Sequence, residues 1–93
     1  MRLVYSQGFY RDLERIYRFL GLVYPSARPL AAKQIKQTIS LVKRYPTIGF
    51  LNGKFREVIA PFGKGSFVLR YRISKKELVL LHVWHDKEKR FEN

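Results

Sequence analysis

Cysteine is absent from this 93-residue chain, which excludes a disulfide-stapled scaffold, a thiolate metal site and a cysteine nucleophile. Long apolar runs are missing as well, since no stretch approaches the roughly 20 residues that a membrane-spanning helix needs. The first residues, from Met1 to Tyr5, lack the apolar core of a signal peptide. We therefore expect a cytoplasmic protein that does not bind membranes.

Acidic side chains are scarce: 7 Asp plus Glu face 19 Lys plus Arg, which gives a formal charge of +12 at pH 7. Such an excess favours polyanionic partners, namely nucleic acid, anionic lipid or a strongly acidic protein segment. Hydrophobic residues make up 46% of the chain and aromatic residues 15%, too much for a disordered basic tail. The length supports one core, so we expect residues 1–93 to form a single domain.

Two stretches have the periodicity of amphipathic helices. In residues 9–24, apolar side chains recur at steps of three and four, Ser6 is a suitable N-cap, and Pro25 ends the pattern. A second helix is expected from Pro29, because proline is favoured in the first turn of a helix. Its apolar stripe runs through residues 31–42, with a basic stripe on the opposite side. The two stretches predict a helical hairpin.

Strand patterns surround this hairpin. Residues 3–5 are a short β-compatible opening, and residues 55–60, 67–73 and 78–84 follow the hairpin, with glycines in residues 63–65 for a tight connection. The last run is almost continuously apolar, which predicts an interior strand covered on both faces. The order β-α-α-β-β-β predicts an α+β fold, with an antiparallel sheet and the helical hairpin packed on one of its faces.

No metal, cofactor or small-molecule site stands out. His82 and His85 point to opposite faces of the predicted strand, and no Cys or carboxylate pair completes a tetrahedral metal shell. We interpret His82 as a hydrogen-bonded sheet residue. The glycines at 63 and 65 lack the Lys-Ser or Lys-Thr context of a phosphate-binding loop. We therefore expect no cofactor and no small-molecule substrate.

A cluster of basic groups on the predicted sheet is the best candidate for a functional surface. Its members are Arg56, Lys64, Arg70, Arg72, His85, Lys87, Lys89 and Arg90. If the last three strands are hairpin neighbours, these groups can share one surface and grip phosphate oxygens, and His85 could act as a general base or acid. The alternative is structural: Arg56 forms an ion pair with Glu57 or Glu77, and His85 is a hydrogen-bonding end of the strand.

Four segments together resemble the RelE/ParE superfamily of type II toxin–antitoxin toxins. They are residues 12–16 (DLERI), 56–58 (REV), 67–73 (FVLRYRI) and 80–88 (LLHVWHDKE). Each segment consists mostly of a hydrophobic pattern, but the order and spacing of the four segments match the superfamily over essentially the whole chain. The resemblance implies the same β-α-α-β-β-β fold and a growth inhibitor that is neutralised by a small antitoxin.

The superfamily has two branches, and the residues favour one of them. RelE-type members are ribosome-dependent mRNA endonucleases, which typically carry an Arg early in the third strand and often a Tyr near the C-terminus. The matching positions here are Val68 and Asp86, so a charge-stabilising group and a proton-transfer group are missing. The resemblance therefore favours a ParE-like poison of DNA gyrase, with the mRNA endonuclease as the alternative.

Each branch implies its own functional residues. For the ParE-like branch, the expected target-binding residues are Arg56, Arg70, Arg72, His85 and Lys87. For the mRNA endonuclease, the expected catalytic residues are His85 and Arg70, the latter replacing the missing cation. A third possibility is a non-toxic, basic nucleic-acid-binding module, whose affinity would fall steeply with salt.

An acidic antitoxin is the partner expected for either toxin. A chain of charge +12 should bind an acidic, partly disordered segment that lays an amphipathic helix or strand over the helical hairpin and the sheet. Apolar anchors would hold that segment in place. The candidate anchors are the exposed members of the set Phe50, Leu51, Phe55, Phe62 and Trp84.

Overall fold

The computed structural model of the chain describes residues 1–88. In chain order its elements are β1 (Arg2–Tyr5), α1 (Gln7–Val23), a short 3-10 helix (Pro25–Ala27), α2 (Arg28–Arg44), β2 (Phe50–Asn52), β3 (Phe55–Phe62), β4 (Gly65–Ser74) and β5 (Glu77–His85). The strands form one sheet in the order β1-β5-β4-β3-β2. The predicted α+β fold with a helical hairpin is confirmed.

The sheet differs from the prediction in two respects. β1 pairs in parallel with β5, with Leu3 opposite Leu78, so the sheet is mixed rather than antiparallel. Local pattern could not reveal this pairing, because it joins the first and the last strand of the chain. The second difference is the short strand β2, which pairs with β3 across a turn in which Gly53 has a φ of +67°, a conformation that favours glycine.

The first helix begins where the sequence predicts. The Ser6 hydroxyl accepts the N–H of Phe9 at 3.1 Å and donates to the carbonyl of Leu81 at 3.0 Å. The N-cap therefore also ties α1 to β5. The second helix carries Pro29 in its first turn, as predicted. Neither helix of residues 1–88 is long and apolar enough to cross a membrane.

Both helices pack on one face of the sheet, α1 against β5 and α2 against β3. The most buried core residues include Phe9, Ile16, Ile35, Val42, Leu69, Tyr71, Leu80 and Val83. The prediction that β5 is covered on both faces is wrong for its C-terminal half, where His82 and Trp84 are only half-buried. Among the described residues, helices cover only one side of this half of β5.

Tyr71 fixes the segment that leads from α2 into β2. Its buried hydroxyl donates to the carbonyl of Pro46 at 2.7 Å and accepts the N–H of Gly49 at 3.0 Å. A Cβ atom at position 49 would lie 2.8 Å from the same hydroxyl oxygen. The close approach of backbone and ring therefore requires glycine, and it sets the start of the edge strand.

Candidate functional site

The strand register separates the predicted basic cluster. Glu57 lies directly opposite Arg70, and residues paired in this way project from the same face. Arg72 follows two residues later on that face. Arg56 pairs with Tyr71 and therefore projects from the side that the helices cover. The expectation of one shared surface is wrong, because successive residues of a strand point to opposite faces.

Arg56 has a structural position. Its Nη1 donates to the carbonyls of Gly49 at 2.8 Å and of Thr47 at 3.2 Å, so the guanidinium holds the segment before β2. Its predicted partner Glu57 binds Arg70 instead, at 2.7 Å. The predicted ion pair of Arg56 with Glu57 or Glu77 does not form, because Glu57 binds Arg70 and Glu77 binds Arg2.

We call the side of the sheet opposite the helices the open face. Its side chains come from β2 to β5: Phe50, Phe55, Glu57, Ile59, Val68, Arg70, Arg72 and Trp84. The guanidinium carbon of Arg70 lies 5.5 Å from the ring centre of Phe55 and 5.1 Å from that of Trp84. Because Glu57 also binds this guanidinium, Arg70 is held by two aromatic rings and a carboxylate.

His85 lies on the helix-facing side, at the end of β5. Its Nε2 is 2.8 Å from the carbonyl oxygen of Phe62, and its Nδ1 accepts the N–H of Lys87 at 3.2 Å. Since a carbonyl only accepts, Nε2 donates to the carbonyl of Phe62. Both ring nitrogens therefore form hydrogen bonds. His85 thus has the position that the structural alternative predicts, a hydrogen-bonding end of the strand.

The hairpin groove is a cleft of about 740 Å³ between the C-terminal half of α1, the β3–β4 turn and the end of β5. Its apolar lining includes Ile16, Phe19, Leu20, Tyr24, Phe62 and Phe67. Its polar lining comprises Arg15, Lys64, His85, Lys87 and Glu88. The groove thus combines an apolar floor with a mainly cationic rim.

Arg15 connects the groove with the edge of β5. Its Nε and Nη2 donate to Glu88 at 2.9 and 3.2 Å, and its Nη1 donates to Asp12 at 2.6 Å. The hydrogen bond to Glu88 is the main cause that raises the pKa of the Arg15 guanidinium, against the opposing effect of partial burial. We did not predict this cluster from the sequence, although the i,i+3 spacing of Asp12 and Arg15 was a signal for it.

The other predicted residues are spread over both sides of the sheet. Phe62 lines the hairpin groove, whereas Phe50 and Leu51 are exposed on the edge strand β2. Lys64 and Lys87 line the groove with His85 and are thus separated from Arg70 and Arg72. The predicted cluster members at positions 89 and 90 lie outside the described residues.

His82 is bound to the first helix. Its Nδ1 lies 2.9 Å from Oδ2 of Asp12, which makes it the hydrogen-bonded residue that the sequence predicted. Within residues 1–88, no group of three or more His, Asp or Glu side chains is arranged to hold a metal ion.

These features define a small α+β protein with two unlike surfaces, an apolar groove with a cationic rim and an open sheet face centred on an arginine. Residues 3–90 match the family described as the ParE toxin of the type II toxin-antitoxin system parDE. The chain therefore belongs to the ParE toxin family, which confirms the resemblance seen in the sequence. Comparison with curated proteins gives no match.

A solved structure supports the same fold. A chain from the chromosomal ParDE TA system of P. aeruginosa superimposes with a TM-score of 0.71, covering 91% of this chain and 95% of that one. The sequence identity is 19%, so the similarity concerns the fold. Membership of a toxin–antitoxin family implies an antitoxin partner for this chain.

Proposed function

We propose that this ParE-family toxin inhibits growth in the cytoplasm by acting on DNA gyrase, and that an acidic antitoxin neutralises it by binding the hairpin groove. The family assignment supports a toxin with an antitoxin partner. The choice of gyrase comes from the ParE-like branch of the resemblance and from the arrangement of the residues that a nuclease would need.

The hydrogen bonding of His85 is the observation that carries this choice. A general base needs a ring nitrogen that can take a proton from its substrate, but Nδ1 already accepts the N–H of Lys87 and Nε2 faces the carbonyl of Phe62. The other catalytic candidate, Arg70, projects from the opposite side of the sheet and is bound by Glu57. The two residues therefore do not converge on one phosphate.

The same geometry divides the predicted target-binding residues. Arg70 and Arg72 share the open face, and we assign target contact to them. His85 and Lys87 line the groove on the other side, where Lys87 is suited to an acidic antitoxin. Arg56 donates to two main-chain carbonyls, and we assign it a structural role rather than a target contact.

The groove has the chemistry that an acidic amphipathic segment requires. Phe19, Phe62 and Phe67 offer apolar contacts, while Lys64 and Lys87 lie at the rim. Helix-in-groove recognition uses apolar anchors for affinity, and opposite charge raises the rate of encounter. An antitoxin segment with apolar residues on one side and carboxylates on the other therefore fits this groove.

Induction of the chain in a bacterial host tests the proposed target. DNA breaks and the DNA damage response are measured alongside mRNA cleavage on the ribosome, in the same time course. We expect DNA damage before any arrest of translation. Cleavage of mRNA at ribosomal A-site codons without DNA breaks would establish the endonuclease instead, and normal growth after induction would favour the non-toxic nucleic-acid-binding module.

A further inference from the structure

The open face presents a rigid arginine between apolar side chains. The Arg70 guanidinium lies between the rings of Phe55 and Trp84 and against the Glu57 carboxylate, yet 29% of its side chain remains exposed. The conformational entropy of this long side chain is therefore largely lost before any partner binds. Such pre-organised arginine and aromatic groups are the type that dominates binding energy at protein interfaces.

Exposed apolar side chains flank this arginine. Phe50 and Ile59 are 55% and 52% exposed, and the strand register places both on the open face, near Glu57 and Val68 respectively. Neither helix covers them, because both helices pack on the other side of the sheet. Adjacent exposed apolar groups around a fixed arginine indicate a surface that a protein partner buries.

Arg72 supplies the charge that a partner must match. It lies on the open face two residues beyond Arg70, and within residues 1–88 it has no acidic partner in an ion pair. Glu57, which shares this face, is already bound to Arg70. A complementary carboxylate therefore has to come from the partner.

We propose that the open face is the surface with which this toxin binds its target protein. The occupant is a protein surface that presents a carboxylate to Arg72 and packs apolar side chains on Phe50 and Ile59. This inference rests on the proposed function, since it takes gyrase as the target. To the proposed function it adds the face of the toxin that contacts the target and the chemistry of the target surface that binds there.

Two other occupants fit the open face less well. Single-stranded nucleic acid needs free ring faces and several cations along its backbone, whereas Phe55 and Trp84 contact the guanidinium of Arg70 and Glu57 neutralises its charge. A second copy of this chain would bring two Arg72 side chains together and add the repulsion between two molecules of charge +12. Charge complementarity therefore favours an acidic protein partner.

Binding of the full-length chain to purified gyrase holoenzyme tests this inference. The dissociation constant is measured for the wild type, for Ile59→Glu and for Arg72→Glu, together with inhibition of supercoiling. The matched controls are Leu30→Glu and Lys33→Glu, which make the same type of change at positions of α2, away from the open face. Thermal unfolding of each variant verifies that it is folded.

We expect both open-face variants to lose about tenfold or more in affinity, as residues central to an interface do, and both controls to bind like the wild type. If the wild type binds gyrase and the open-face variants bind equally well, the inference fails while the proposed function stands. Equal losses of affinity in Lys33→Glu and Arg72→Glu would show that the effect comes from general charge attraction. This result would also overturn the inference.

Two further outcomes contradict the inference. If the wild type neither binds nor inhibits gyrase, the proposed function fails and the inference fails with it. The same variants are therefore also measured against a single-stranded DNA oligonucleotide of mixed sequence. Tight binding of this oligonucleotide that Arg72→Glu abolishes would make the open face a nucleic-acid surface.

Discussion

The main-chain N–H of Val83 donates to the carboxylate of Asp12 at 2.9 Å, which joins the edge of a strand to the side chain of a helix. β1 pairs with β5 only as far as Tyr5 and Leu80, so within residues 1–88 the rest of that edge has no neighbouring strand. Arg15 of the same helix donates to the Val83 carbonyl at 3.3 Å. Polar side chains of α1 thus satisfy backbone groups that a longer β1 would otherwise have bound.

Substitution of Asp12 by alanine should destabilise the fold. The change leaves the buried N–H of Val83 without its acceptor and removes a partner of His82 and Arg15, so we expect a loss of about 1–3 kcal/mol in the free energy of unfolding. Urea denaturation measures the loss. Glu14→Ala is the control, because its exposed ion pair with Arg18 should contribute less than about 0.5 kcal/mol. Equal effects of the two substitutions would contradict this role of Asp12.

Tyr17 should make stability fall at alkaline pH. Burial raises the pKa of its phenol above the ordinary value of about 10, and the nearby Arg28 opposes this effect only in part. Above pH of about 10 the unfolded chain loses this proton first, so the unfolded state binds fewer protons and rising pH favours unfolding. Below that range the protonated phenol causes no pH dependence.

The variant Tyr17→Phe isolates this effect. The free energies of unfolding of the wild type and the variant are compared at pH 8 and at a pH of about 10.5. We expect the wild type to lose more stability than the variant over this interval, because the other titrating groups are common to both proteins. A difference that stays constant with pH, or grows in favour of the wild type, would rule out a raised pKa at this position.

Replacement of His85 by alanine should leave growth inhibition intact and lower stability. The ring bonds the carbonyl of Phe62 and the N–H of Lys87, and the loss of a typical hydrogen bond of this kind costs about 1 kcal/mol. Induced growth inhibition is measured well below the unfolding temperature, and urea denaturation gives the stability. Abolished toxicity in a variant as stable as the wild type would indicate a catalytic or target-binding histidine.

A charge placed in the hairpin groove should block neutralisation by the antitoxin. Phe19 lines the groove and is 56% exposed, so Phe19→Glu should preserve the fold while placing a carboxylate where an acidic, apolar segment has to bind. The measurement is growth of cells that express the toxin together with its cognate antitoxin. We expect the antitoxin to restore growth of cells that express the wild-type toxin. Growth of cells that express the variant should be restored at least tenfold less.

Leu30→Glu is the matched control for this experiment. Leu30 is similarly exposed on α2 but is not part of the groove lining. Its variant should be neutralised like the wild type. If neither substitution affects rescue, the antitoxin binds elsewhere on the toxin.

The elements of the fold were largely predictable from sequence. The spacing of apolar residues from Phe9 onward, the cap at Ser6 and the proline at position 25 describe α1, because helix formation depends on contacts between residues three or four apart. The turn at residues 63–65 was likewise visible, since local backbone conformation decides it. The edge strand β2 was missed, although the Asn52-Gly53 pair is a turn signal.

The arrangement of the candidate surfaces was not predictable in the same way. Arg56 and Arg70 belong to the same basic cluster in sequence, but cross-strand register directs them to opposite faces. The hydrogen bonding of His85 depends on the carbonyl of Phe62, which lies 23 residues earlier in the chain. The hairpin groove joins α1 to the β3–β4 turn, and no local pattern gives the distance between these elements.

Composition and periodicity alone therefore establish a basic chain with two helices and a sheet, because charge is a sum over residues and secondary structure follows from neighbours along the chain. Which cations share a surface, which carboxylates neutralise them and which apolar groups remain uncovered depend on packing between distant segments. The parallel pairing of β1 with β5 illustrates this difference, because it brings Asp12 to Val83, residues 71 positions apart.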